Sequence, residues 1–244
     1  MKHFFLFILT IPFMIACATS SHKMEHSINK ELMDLEYLVR QQKDTTQEAP
    51  VLILLHGYGS NEKDLFALAD RIPDNWLVVS VRAPIALGRN QFKWYDVKMV
   101  NQKITMNFED EEKSRQQLLK LVDQIISKYH VDKNKIVIAG FSQGANMSVG
   151  LFLTAPKKIH AAGCFSGRFM EEIKPLIKDK STLKSGQVFI AHGTQDQMLP
   201  LRYAEENKTI LEGFGINVKL STDAIAHSIS PKQLNEFIEW MKAL

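Results

Sequence analysis

The sequence predicts an α/β fold in which a mostly parallel central sheet is flanked by helices. Short apolar runs alternate along the chain with stretches whose apolar residues recur at helical spacing. The runs are continuous instead of alternating with polar residues, as expected for strands that are buried on both faces. With 45% hydrophobic residues among 244, the chain is long and apolar enough to form one large core.

The elements of this fold follow one another without an internal repeat or a linker. The predicted strands are 51–55, 77–81, 136–139, 161–165, 188–191 and 218–221. Helices are predicted from Ser60-Asn61 through Ile72, over 109–130, 145–153 and 201–211, and after Ser230. The last helix has the clearest start, because Ser230-Pro231-Lys232-Gln233 combines an N-cap serine, a first-turn proline and a capping-box glutamine.

The first thirty residues are predicted to lie outside this domain. Residues 4–16 form a 13-residue run without charge after Lys2 and His3, which is too short for a membrane span and typical of a signal peptide. The run ends at Met14-Ile15-Ala16-Cys17, which resembles a bacterial lipobox in which Cys17 is lipidated; an ordinary secretory signal is the alternative. We therefore expect a lipoprotein-type signal peptide over 1–16, a polar tether over 17–30 and a single domain over 31–244. Lipidation would anchor the exported protein to a membrane, facing the periplasm or the cell exterior.

Composition excludes several classes of protein and site. The net charge is +3 and the charges are interspersed, so the basic stripe of a nucleic-acid-binding protein is missing from the sequence. The sequence contains no phosphate-loop motif, no H-E-x-x-H and no C-x-x-C, and we expect neither a metal nor an organic cofactor. Cys164 lies in an apolar run, which favours a small buried side chain over a nucleophile.

A candidate nucleophile lies in Gly140-Phe141-Ser142-Gln143-Gly144, between a predicted strand and a predicted helix. This G-x-S-x-G pattern presents a serine hydroxyl on a sharp turn at the top of a sheet, where side chains flanking the turn would clash. The serine needs a base and a carboxylate that orients the base. We therefore predict that Ser142 is a catalytic nucleophile.

The base and the acid are expected in the order serine, acid, histidine. His227 lies in a turn-like segment before the last helix and is predicted to be the base. His192 ends a buried run, which favours a structural role, and His160 lies in a charged turn, where we expect it to be solvated. Asp196 follows a strand end and is favoured as the acid, with Asp223 as the rival.

Two backbone N–H groups are predicted to bind the oxyanion. One belongs to Gln143, the residue after the nucleophile, and the other to Tyr58 in His56-Gly57-Tyr58-Gly59. Phe92, Trp94 and Tyr95 fit either ordinary core positions or the wall of an acyl pocket.

Together these segments resemble the phospholipase/carboxylesterase family of α/β-hydrolases, which includes the acyl-protein thioesterases. The matching pieces are Leu54-Leu55-His56-Gly57-Tyr58-Gly59, Arg82-Ala83-Pro84, Trp94-Tyr95-Asp96, Gly140-Phe141-Ser142-Gln143-Gly144, His192-Gly193-Thr194-Gln195-Asp196 with Leu199-Pro200, and His227-Ser228-Ile229-Ser230. The resemblance covers about residues 50–240 and implies an α/β-hydrolase fold with Ser142, Asp196 and His227 as the catalytic triad. One departure is Ala226, where the family usually has glycine; if that position needs a positive φ, alanine would strain the loop and displace His227.

The resulting expectation is a serine carboxylesterase that hydrolyses carboxylic esters or thioesters through an acyl-serine intermediate. Its partner would be a small-molecule ester or thioester. Two alternatives remain: a serine peptidase on the same fold, and a non-catalytic binding lipoprotein.

Overall fold

The computed structural model describes residues 35–100, 103–178, 180–184 and 186–244. The predicted signal peptide, tether and Cys17 lie outside these ranges. Leu35–Leu244 cluster as one unit, within the predicted 31–244 domain. None of the helices in the described ranges is long and apolar enough to cross a membrane.

The strands form one large sheet and two hairpins. In chain order they are β1 Tyr37–Arg40, β2 Ala49–Leu55, β3 Leu77–Val81, β4 Ile85–Gly88, β5 Gln91–Lys93, β6 Val97–Val100, β7 Lys103–Met106, β8 Val131–Phe141, β9 Ala161–Phe165, β10 Gln187–Gly193 and β11 Asn217–Asp223. The large sheet has the order β1-β3-β2-β8-β9-β10-β11, and every neighbouring pair is parallel except β1 with β3. The predicted mostly parallel sheet is therefore confirmed.

Helices cover both faces of this sheet, which explains why its central strands carry continuous apolar runs. They are α1 Glu62–Phe66, α2 Phe108–Lys128, α3 Gln143–Thr154, α4 Arg202–Gly213 and α5 Pro231–Lys242. One core cluster contains Leu65 of α1 and Phe237 of α5. The other contains Leu118 of α2, Leu151 of α3 and Leu211 of α4. The predicted sheet between helical layers is thus observed.

The structure differs from the predicted elements in four places. β1 has no counterpart in the prediction, because it is a four-residue, half-buried edge strand without a continuous apolar run. β8 begins at Val131, before the apolar run, because its first residues pair with the start of β2. The helix predicted through Ile72 ends at Phe66, and a 3₁₀ turn over Ala69–Arg71 continues the same apolar side. The hairpins β4–β5 and β6–β7 occupy the stretch before α2 in which no element was predicted.

The topology brings the segments of interest to one edge of the sheet. Ser142 follows β8, Asp196 follows β10, His227 follows β11, and the His56–Gly59 segment follows β2. Because parallel strands share a direction, their carboxyl ends meet at the same edge, where open α/β sheets bind their ligands.

Candidate active site

Ser142 lies on a sharp, strained turn between β8 and α3. Its backbone has φ 52° and ψ −113°, and its N–H donates to the carbonyl of Phe165 on β9 at 2.8 Å. A Cβ atom on Gly140 would lie 2.2 Å from the Gly144 carbonyl oxygen, and one on Gly144 would lie 2.0 Å from the Leu55 carbonyl oxygen. The two glycines are therefore required by close backbone approach, as predicted for this turn.

Asp196 and His227 form a short, buried hydrogen bond. His227 Nδ1 lies 2.6 Å from Asp196 Oδ2, and the Asp196 side chain has no exposed surface. The other carboxylate oxygen accepts the backbone N–H groups of Met198 and Leu199 at 2.9 and 2.8 Å. These bonds fix both oxygens, so the carboxylate can orient the imidazole and stabilise its protonated form.

Asp223 is not the partner of His227. It accepts the N–H of Ala224 at 2.9 Å, and the hydrogen bond from Ser230 lowers the pKa of its exposed carboxyl. The structure therefore resolves the choice between the two predicted acids in favour of Asp196.

The loop that carries His227 is tied to the end of β10. Gln195 N–H donates to the Ile225 carbonyl at 3.0 Å, and a Cβ on Gly193 would lie 2.2 Å from that oxygen. Ala226 does not appear among the residues with positive φ. The expected strain at Ala226 is therefore absent, and the concern that alanine would displace His227 is wrong, because ordinary backbone dihedrals suffice there.

The Ser142 hydroxyl and the His227 ring are not hydrogen-bonded to each other. Within the described ranges the hydroxyl has no hydrogen-bond partner, while the His227 ring packs on Phe141, the residue before the nucleophile, at 4.8 Å between centroids. In substrate-free enzymes such bonds are often long and tighten when substrate binds. The base is therefore next to the turn, with the serine–histidine link still open.

The loop after β2 lies directly against the nucleophile. A Cβ on Gly57 would approach the Phe141 ring at 3.1 Å and the Ser142 Cβ at 3.6 Å. Gly59 N–H donates to Phe92 and Ser60 N–H to Gly57, whereas the N–H of Tyr58 has no acceptor among the described residues. Gln143 opens α3, where first-turn N–H groups lack intrahelical partners. Both predicted oxyanion donors are thus unpaired and flank Ser142.

Comparison with known proteins agrees with this geometry. The family model described as phospholipase/carboxylesterase matches residues 36–244. The chain belongs to this family. The family resemblance, the α/β-hydrolase fold and the class of enzyme, a serine hydrolase of carboxylic ester or thioester bonds, are thereby confirmed.

Relatives in the family share about a quarter of their residues with the chain. Acyl-protein thioesterase 1 of Eremothecium gossypii is 27% identical over 208 residues, which cover 78% of the chain and 86% of that relative. A protein of Oryza sativa subsp. japonica named probable inactive carboxylesterase is 21% identical, with 82% and 87% covered. The crystal structure of the Bacillus cereus carboxylesterase is 25% identical and superposes with a TM-score of 0.71, over 91% of the chain and 99% of that structure.

The side chain of Gln143 has a structural role that the sequence did not predict. Its Oε1 accepts the N–H of Trp94 at 2.8 Å, and its Nε2 donates to the carbonyl of Tyr95 at 2.8 Å. Trp94 Nε1 in turn donates to the His56 carbonyl at 2.9 Å. Gln143 therefore joins the nucleophile turn to the Trp94–Tyr95 segment, and this segment to the oxyanion loop. The available signal was a polar amide at the start of an otherwise apolar helix.

Two of the three aromatic residues considered for an acyl-pocket wall lie in the core instead. Trp94 and Tyr95 are 0% and 1% exposed, and desolvation raises the pKa of the Tyr95 hydroxyl to about 12. They form part of the core beneath the turn, where the Trp94 N–H, the Tyr95 carbonyl and both ring polar groups are hydrogen-bonded. Phe92 is half-buried, with the Arg82 guanidinium 4.8 Å from its ring centroid.

None of His192, His160 and Cys164 takes part in the Asp196–His227 hydrogen bond. His192 Nε2 lies 2.6 Å from the Leu199 carbonyl, which confirms its predicted structural role beside the Asp196 loop. His160 was expected to be solvated, but it is partly buried, and desolvation lowers its pKa. Cys164 is fully buried, which raises the pKa of its thiol to about 12 and confirms that it is a core residue.

Proposed function

We propose that the protein is a serine carboxylesterase that hydrolyses esters or thioesters through an acyl-enzyme on Ser142. The observation that carries this proposal is the buried Asp196–His227 pair, at 2.6 Å, on the same sheet edge as the strained Ser142 turn. A base oriented by a carboxylate beside a rigidly held serine is the arrangement that activates a hydroxyl.

The reaction has two halves. In the first, Ser142 Oγ attacks the ester carbonyl carbon while His227 Nε2 takes the hydroxyl proton, and the oxyanion is bound by the Tyr58 and Gln143 N–H groups. The carbon–oxygen or carbon–sulfur bond to the leaving group then breaks, and His227 returns the proton to the alcohol or thiol. In the second half, water attacks the acyl carbon while His227 takes its proton; the bond to Ser142 Oγ then breaks, His227 returns the proton to Oγ, and the acid is released.

The names of relatives support ester and thioester bonds as the substrates. Acyl-protein thioesterase and carboxylesterase are names borne by proteins similar over most of the chain. A small-molecule ester or thioester is therefore the substrate class that we assign to this site.

The two alternatives make different demands on the site. A serine peptidase would use the same triad on amides, so it should hydrolyse peptides as well as esters. The alternative of a non-catalytic binding protein has to allow for inactive relatives, since the rice relative is named a probable inactive carboxylesterase. The complete set of Ser142, Asp196 and His227 argues against loss of activity here.

We further propose that the chain is exported and anchored through Cys17. The support is the sequence alone: an uncharged 13-residue run that ends at Met14-Ile15-Ala16-Cys17. In a bacterial host, the full chain should sediment with membranes, and the Cys17→Ser variant should become soluble. Equal partitioning of the two chains would contradict lipidation.

Hydroxylamine partitioning tests the acyl-enzyme directly. It competes with water for any acyl-serine and yields a hydroxamate. The purified protein should give the same hydroxamate-to-acid ratio from p-nitrophenyl, phenyl and ethyl butyrate, because all three pass through one intermediate. Ratios that follow the leaving group would contradict the intermediate. Efficient hydrolysis of peptides beside these esters would favour a serine peptidase, and no turnover of either class would favour a binding protein.

A further inference from the structure

A groove of about 390 Å³ opens between α1 and the segment that leads into α5. Leu65 and Leu68 form one wall, Ile229 and Leu234 form the other, and the rings of Phe141 and His227 also line it. Its volume is in the range of small-molecule sites in proteins. The groove is therefore large enough for part of a substrate and borders the candidate active site.

The chemistry of the groove is apolar. Its charged side chains, Arg71 and Asp64, are exposed and already hydrogen-bonded, Arg71 to Asn235 at 2.9 Å and Asp64 to Ser60 at 2.8 Å. The rest of the lining is mainly aliphatic and aromatic, with the small side chains of Ser228 and Ser230 beside it. Such a lining favours an uncharged alkyl or aryl group, because burial of apolar surface is the gain available there.

The position of His227 in the wall indicates which half of an ester enters. During acylation His227 donates a proton to the leaving oxygen or sulfur, so that atom must lie within hydrogen-bond reach of the ring. Atoms attached to it extend along the surfaces around the imidazole. The His227 imidazole lines the groove. Ser142 and the proposed oxyanion donors, Tyr58 and Gln143, do not line it.

We propose that this groove binds the leaving group, and that the enzyme prefers esters or thioesters of apolar alcohols or thiols. This assignment rests on the proposed function. Leu68 is the side chain through which it can be altered. It is half-buried, packs on the core only in part, and takes no part in the catalytic machinery.

Two substrate series separate the halves of the ester. The first varies the alcohol in ethyl, butyl and hexyl acetate, and the second varies the acid in ethyl acetate, butyrate and hexanoate. Primary alkyl alcohols differ little in chemical reactivity, so a rise in kcat/KM along the first series reports binding. A fully buried methylene corresponds to about a fourfold gain, and we expect about two- to fourfold for each added methylene.

Substitutions at Leu68 test whether that gain arises in the groove. Leu68→Trp should fill the groove and abolish the gain along the alcohol series, with kcat/KM for ethyl acetate within about twofold of wild type. Leu68→Ala should weaken the same gain without blocking the groove. The matched control is Leu119→Trp, a half-buried leucine on α2 on the opposite face of the sheet.

The possible results separate the groove assignment from the proposed esterase activity. Loss of the alcohol gradient in Leu68→Trp alone, with an unchanged acyl series, supports the assignment. An alcohol gradient that survives Leu68→Trp, a flat wild-type alcohol series, or an effect confined to the acyl series would overturn it while leaving the esterase intact. Failure of the wild type to hydrolyse any of these esters would contradict the proposed function, and the groove assignment with it.

Discussion

Two neighbouring strands, β8 and β9, end in the same way, with a phenylalanine followed by a strained serine. Phe141 and Phe165 are paired in the sheet, and the serines after them, Ser142 and Ser166, have φ values of 52° and 51°. Each serine N–H donates at 2.8 Å to the strand beyond it, to the carbonyls of Phe165 and Ala191. The two serines thus match in φ and in this backbone hydrogen bond.

Their surroundings make them different. Ser142 is half-buried, opens α3, and lies beside the Phe141–His227 ring contact. Ser166 is 1% exposed, is followed by Gly167 and no helix, and its hydroxyl is unpartnered within the described ranges. Backbone strain therefore positions a hydroxyl, whereas an adjacent base, unpaired N–H groups and access for substrate make it reactive.

The largest predicted difference between the two turns is in catalysis. Ser142→Ala should lower kcat for p-nitrophenyl butyrate by about 10⁴–10⁶-fold, because it removes the nucleophile. Ser166→Ala should stay within about threefold of wild type. Circular dichroism of both variants controls for folding, and comparable losses in the two would remove the distinction.

The acid should matter only where it reaches the His227 ring. Asp196→Asn should lower kcat by about 10⁴-fold, because the amide no longer holds the imidazole in the required tautomer. Asp223→Asn leaves the 2.6 Å bond untouched and should cost less than about threefold. Steady-state kinetics with the same ester measures both, and the reverse order would transfer the role of the acid to Asp223.

The backbone contacts that shape the Ser142 turn should dominate its stability. Gly144→Ala places a methyl group 2.0 Å from the Leu55 carbonyl oxygen and should lower the free energy of unfolding by more than about 3 kcal/mol. Gly213→Ala is the matched control, since a Cβ there meets nothing within 4 Å. It should raise stability by up to about 1 kcal/mol through helix propensity. Urea denaturation gives both values, and equal effects would contradict the steric explanation.

The smallest effect is expected at the other strand end. Ser166→Ala removes a buried hydroxyl that has no partner among the described residues. Serine and alanine differ little in their preference for the backbone conformation at this position. The free energy of unfolding should rise by about 1 kcal/mol. A loss of that size in urea denaturation would instead indicate that the Ser166 hydroxyl is satisfied in solution by ordered water.

The comparison also explains what the sequence could predict. Ser142 was identifiable because the strand before it, the helix after it and the glycines around it all leave local patterns. The capping box of α5 was equally local, and the Ser230 and Gln233 side chains make the expected bonds. The edge strand β1 and the two hairpins lack such patterns, since short half-buried strands depend on partners that are distant in the chain.

Long-range contacts at the site were beyond sequence reasoning for the same reason. Gln143 was predicted for its backbone N–H, but nothing local indicates that its side chain binds Trp94 and Tyr95, 49 and 48 residues earlier. The choice between core and acyl-pocket wall for Trp94 and Tyr95 stayed open for the same reason. An aromatic pair in a loop fits core and pocket equally well until the surrounding packing is known.

Labelling with a fluorophosphonate tests directly whether Ser142, His227 and Asp196 act together. The probe attaches only to a serine whose hydroxyl is activated, and peptide mass spectrometry locates it. We predict stoichiometric labelling of Ser142 in the folded wild type, none at Ser166, and strongly slowed labelling in His227→Ala. An unlabelled Ser142, or a labelling rate that does not change when His227 is removed, would show that His227 does not activate Ser142.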